Sequence, residues 1–198
     1  MNIVCLGCSY TAGMPDNYYS WPEKLANLRP SDTIYNLAVS GTSLLFSIYI
    51  LKQIQKIINV DKTIFQITNP HRQTSFEKIR IEDSFIQNKN YIRIDPDIRK
   101  KQKILTITPA TTKGKWTENK EKIKWSLNFY KNYSKDLGLL QHNILDNYIK
   151  NVATFTFTYS EIPEYAQNNI IDSSGHFNNI GHNIIADWIN NELERNIH

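Results

Sequence analysis

The sequence predicts an α/β protein of three layers, α/β/α, with helices on both faces of a parallel sheet. Three observations predict it: short strand-like apolar runs alternate with segments of helical period, as in βαβ units; the runs end in Gly-, Ser- or Asn-containing loops; and 198 residues are enough for one such core without disulfide or metal staples. A hydrophobic content of 40% and a charged content of 21% belong to a soluble globular chain. The expected organisation is one domain over 1–198, with an irregular and helical insertion at about 74–150.

Element by element, Asn2 to Leu6 reads as a first strand. Ser20-Trp21-Pro22-Glu23 has capping-box spacing and an early proline, and so opens a helix. A second strand is expected near Thr33 to Leu37, followed by a helix capped by Thr42 in which Leu44, Leu45, Ile48, Leu51, Ile54, Ile57 and Ile58 recur at helical spacing. Thr63 to Ile67 is a third strand. From Thr74 to about Lys115, with Pro96 and Pro109, the pattern offers only loops and a small hairpin. Between Glu118 and Lys150 it predicts two helices parted near Gly138. Val152 to Thr158 alternates as a strand, and Asn178 caps a last helix carrying Ile180, Ile184, Ile185, Trp188, Ile189 and Leu193.

Bulk properties narrow the function classes. The longest apolar stretch, Leu44 to Leu51, contains Ser47 and is far too short to span a bilayer, so no membrane partner is expected. A strand beginning at residue 2 leaves no room for a secretory leader, so the expected compartment is the cytoplasm. The net charge of +4 is concentrated between Glu77 and Lys150, where Arg99-Lys100-Lys101-Gln102-Lys103 and Lys113-Gly114-Lys115-Trp116 could touch nucleic acid. A solvated basic face is the favoured reading of these runs. The only cysteines, Cys5 and Cys8, have a redox-like spacing, but Cys5 falls within the strand and no helix is expected to follow Cys8 at once, so a buried, unreactive pair is favoured. Five histidines without ligand spacing give no metal site, and no cofactor is expected.

The chemistry-bearing residues lie after strands. Ser9, in Gly7-Cys8-Ser9-Tyr10-Thr11-Ala12-Gly13, stands where the first strand stops, and His176, in Gly175-His176-Phe177-Asn178-Asn179-Ile180-Gly181-His182, lies just before the last helix. Gly41 and Asn69 follow the second and third strands. In a parallel sheet these positions share the carboxyl edge, where ligands bind. A serine hydroxyl needs a base to take its proton and donors for the oxyanion that forms; histidine supplies the first, and a glycine backbone N–H and an asparagine amide supply the second.

Taken in order, these segments resemble the four blocks of the SGNH/GDSL hydrolase family. The first block carries Cys8 where the family has an aspartate. Asn36-Leu37-Ala38-Val39-Ser40-Gly41-Thr42-Ser43 resembles the second closely, and Thr68-Asn69-Pro70 keeps only the asparagine of the third. The resemblance implies a flavodoxin-like parallel sheet and hydrolysis of a small acyl ester, such as an O-acetylated carbohydrate. Ser9 would be the nucleophile and His176 the base, with Ser9 N–H, Gly41 N–H and the Asn69 amide as the oxyanion hole. The family's triad aspartate lies three residues before the histidine, where this chain has Ser173. Asp172, one residue further back, is the favoured orienter of His176, the alternative being a Ser9–His176 dyad oriented by a backbone carbonyl.

Other roles stay open beside these. Gly41 could serve only a tight turn and Asn69 only a side-chain turn. Arg72, following Asn69 and His71, could bind an anionic substrate group or pair with a local carboxylate. His182 is expected to be structural. The missing aspartate, the degenerate third block and the basic insertion together leave an inactive binding module within a larger assembly as the alternative to an esterase.

Overall fold

A computed structural model of the chain describes residues 1–13, 20–68, 72–75, 79–102, 104–107, 135–171 and 176–195. Six strands form the main sheet, in the order β5-β6-β2-β1-β3-β8: β1 is Asn2–Leu6, β2 Thr33–Asn36, β3 Lys62–Gln66, β5 Phe85–Asn88, β6 Tyr91–Ile94 and β8 Phe155–Phe157. Every neighbouring pair is parallel except the β5–β6 hairpin. β4 (Gln73–Ser75) and β7 (Leu105–Ile107) pair antiparallel as a separate two-stranded sheet.

The central strand explains why helices cover both faces. Ile3, Val4, Cys5 and Leu6 are all fully buried, the near-continuous apolar run expected of a strand that meets no water on either side. Val4 and Leu6 join one cluster with α3 (Leu44–Ile54) and α5 (Lys135–Val152), through Phe46, Ile50, Leu51, Ile54 and Ile149. Ile3 and Cys5 join the other with α2 (Trp21–Leu28) and α7 (Asn179–Arg195), through Trp21, Leu25, Ile185, Ile189 and Leu193. The molecule is therefore an α/β protein with a mostly parallel sheet between helices. Short helices α1 (Ser9–Ala12), α4 (Ile98–Lys101) and α6 (Glu164–Gln167) complete the described α-helices, beside 3-10 turns at Glu82–Ser84 and Tyr159–Glu161.

Several elements differ in detail from the sequence expectation. Ser43, not Thr42, caps α3: its Oγ accepts from Phe46 N at 3.4 Å, while Thr42 Oγ1 donates to Val39 O at 2.8 Å within the preceding turn. α3 stops at Ile54, leaving Ile57 exposed beyond it. α5 runs through Gly138 without a break, because an interior glycine costs a helix only about 1 kcal/mol and seventeen other residues propagate it. Val152 closes that helix, so β8 begins only at Phe155. α1 follows Cys8 directly, where the glycine and proline downstream favour a loop. The small hairpin expected beyond Thr74 is β5–β6, and β6 joins the main sheet beside β2. Residues 108–134, including Lys113 to Trp116 and the first of the two expected helices, lie outside the described residues. No described helix is long and apolar enough to cross a membrane.

Candidate active site

Ser9 opens α1 three residues beyond the end of β1 and is 9% exposed. β1 is the strand flanked by β2 and β3, and the connection from β2 to β3 passes over it, so Ser9 stands at the point where strand order reverses. A buried polar network fastens α1 to this edge. Thr11 Oγ1 donates to Gln66 Oε1 of β3 at 2.6 Å, and Asn36 Nδ2 of β2 donates to Thr11 O at 3.0 Å and to Tyr91 Oη at 2.9 Å. Burial, eased by hydrogen bonds with Ser20 and Asn36, raises the Tyr91 hydroxyl to about 12, so it stays protonated. The chain passes tightly beneath α1 at Gly7, where an added Cβ would come within 2.5 Å of Thr11 Oγ1 and 2.9 Å of Gln66 Cβ.

Gly41 lies in a turn after β2. Thr42 N donates to Val39 O at 3.3 Å, and Gly41 has φ +72°, the left-handed conformation that a type II turn requires at its third position. Arg99 of α4 closes over this turn: its Nη1 donates to Ser40 O at 2.8 Å and would lie 2.8 Å from a Cβ on Gly41. Because C=O and N–H of a trans peptide point in opposite directions, holding Ser40 O also fixes the direction of the Gly41 N–H. Arg72 begins the segment of β4, and Thr74, two residues on, accepts a 2.8 Å hydrogen bond from Ser43 N through its Oγ1. β4 thus runs beside the Gly41 turn. Nη1 of Arg72 is buried without a hydrogen-bond partner among the described residues.

His176 is half-buried in the segment leading to α7. Its ring lies 5.4 Å from that of Tyr10, the residue after Ser9, at 44° between planes. Tyr10 also meets Tyr159 at 5.2 Å and Phe177 at 6.1 Å, and Phe177 stacks on Tyr159. The backbone is pinned on both sides: Ile171 N donates to His176 O at 2.8 Å, and Asn178 Oδ1 caps α7 by accepting from Gly181 N at 2.9 Å. His182, in α7, is 2% exposed, and burial, with lesser contributions from Lys24 and His176, lowers it to about 4. It is a neutral core residue.

A cavity of about 60 Å³ opens at the same sheet edge, lined among others by Ala12, Gly13, Asn36, Ser40, Arg93 and Asp95. The structure therefore brings the Ser9 helix, the Gly41 turn and Arg72 to one edge, with His176 packed on the residue beside Ser9. Asn69 and Asp172 lie outside the described residues, as does His71. Cys5 and Cys8 are free and buried, and burial pushes the Cys5 thiol well above its usual value, leaving it unreactive. Among the described residues no group of His, Cys, Asp or Glu is arranged to hold a metal ion. Sequence reasoning missed Tyr10 and Arg99 as neighbours of the site: Tyr10 adjoins Ser9, but Arg99 is far from Gly41 in sequence and sits in a basic run that reads as solvated surface. Compared with known protein families and with curated proteins, the chain matches no family model and no curated sequence.

Proposed function

We propose that this chain is a serine-dependent ester hydrolase of SGNH/GDSL type, acting on a small acyl ester. The observation that carries the reading is Ser9 at the carboxyl end of the central strand with His176 held against its neighbour Tyr10. The order β2-β1-β3-β8 within the sheet agrees with a flavodoxin-like core, to which the β5–β6 hairpin adds two strands at the β2 edge.

In the first half of the reaction His176 takes the Ser9 proton as Oγ attacks the ester carbonyl. The negative charge on the carbonyl oxygen is met by Ser9 N–H, Gly41 N–H and the Asn69 amide, and each such donor is worth roughly 3 kcal/mol in the transition state. Collapse expels the alcohol, which receives the proton from His176, and leaves an acyl-serine. Water, deprotonated by His176, then releases the acid and restores Ser9. Asp172 is assigned the orientation of the imidazole. The competing reading, an SGNH-like binding module without turnover, draws its support from Ser173 at the family's aspartate position.

Hydrolysis of 4-nitrophenyl acetate separates the two. The esterase reading predicts turnover that falls on the order of 10³-fold or more in both Ser9→Ala and His176→Ala, with the fold intact by circular dichroism. Equal rates in wild type and Ser9→Ala, or none in either against a range of acyl esters, would favour the binding module.

A further inference from the structure

We propose that Arg72 and Arg99 form an anion-binding subsite on the flank of the Gly41 turn, so that the substrate carries a carboxylate, phosphate or sulfate group besides its ester. The inference rests on the hydrolase reading for the identity of the reacting group, and on the two arginines for the anion.

The two arginines come to one short segment from different parts of the chain, Arg99 by a direct hydrogen bond and Arg72 through its position next to β4. Arg99 reaches it from α4, with Nη1 on Ser40 O at 2.8 Å and against the Cα of Gly41. Arg72 immediately precedes β4, which is tied to Ser43 through the hydroxyl of Thr74. Nη1 of Arg72 is buried with no hydrogen-bond partner among the described residues, and neither arginine forms an ion pair among them. Burial first, and then the charge of Arg72, lowers the Arg99 guanidinium below its usual range. The charge of each opposes the other, and Arg72 has a donor withheld from water. Guanidinium forks match the planar or tetrahedral oxygens of an oxyacid, so a bound anion would relieve both costs at once. α3 begins just after this turn, and its N-terminus adds partial positive charge near it.

The test compares two esters of equal acyl length: mono-4-nitrophenyl succinate, whose far end is a carboxylate, and its methyl-capped neutral counterpart. The expected kcat/KM ratio in favour of the carboxylate is about tenfold or more, falling as salt is raised and collapsing toward one in Arg72→Gln. A ratio near one in wild type, or a ratio unchanged in both Arg72→Gln and Arg99→Gln, would overturn the subsite. Calorimetric titration with inorganic phosphate reads the same site without turnover: binding is expected in wild type and Ser9→Ala and about tenfold weaker in Arg72→Gln. Arginine-dependent phosphate binding by a chain that hydrolyses neither ester would keep the subsite and refute the hydrolase. Indiscriminate hydrolysis of both esters without phosphate binding would do the reverse.

Discussion

At the residue scale, Gly41 and His182 give the sharpest expectations. A side chain at Gly41 meets a left-handed φ of +72° and Arg99 Nη1 at 2.8 Å, so Gly41→Ala should lose about 1–2 kcal/mol of stability. If the residue serves only a turn, the folded fraction of the variant keeps its ester-hydrolysis rate. The oxyanion role instead predicts a fall in kcat of about tenfold or more per folded molecule, read by active-site titration beside a urea melt. His182 binds its proton near pH 4 in the folded chain and near 6.5 when unfolded. Between those values the unfolded chain holds more protons, so the stability from keeping this imidazole neutral is complete above about pH 6.5 and drains away as pH falls toward 4. The total is on the order of 3 kcal/mol. Urea unfolding of wild type should show this acid sensitivity, and His182→Gln should show visibly less of it; parallel curves for the two would refute the assignment.

At the element scale, α1 is a single turn and cannot hold itself in place, since so short a helix gains little from its own hydrogen bonds. Thr11, Gln66, Asn36 and Tyr91 hold it, each with a buried polar group spent on another. Asn36→Ala would strip Thr11 O of a donor and Tyr91 Oη of one of its partners inside the core. The expected loss is about 2 kcal/mol, several degrees in Tm by calorimetry, with a parallel fall in Ser9-dependent turnover. Asn36 was legible in the sequence only as the start of the block that runs to Ser43; its partners come from three other segments, and periodicity is silent about them. The caps of α2 and α7 were legible because Ser20 and Asn178 act on residues three positions away. The cap of α3 slipped from Thr42 to Ser43 because two adjacent hydroxyls compete and the turn takes the first.

At the scale of the whole molecule, strand and helix alternation in the first seventy residues was enough to predict helices on both faces of a parallel sheet. The β5–β6 hairpin was harder: Phe85–Asn88 is exposed at three of its four positions and Tyr91–Ile94 is short, so neither shows the buried-strand pattern until β2 is beside it. The same holds for the candidate site. Ser9 and Gly41 could be read from strand-end motifs, whereas Arg99 and the Tyr10–His176 contact arise only when distant segments meet. Whether Ser9 is an activated nucleophile at this edge is read by treatment with a fluorophosphonate followed by peptide mapping. One phosphonyl adduct is expected, on Ser9, and it is lost in His176→Ala; folded protein that stays unlabelled, or labels equally well without His176, would refute the nucleophile.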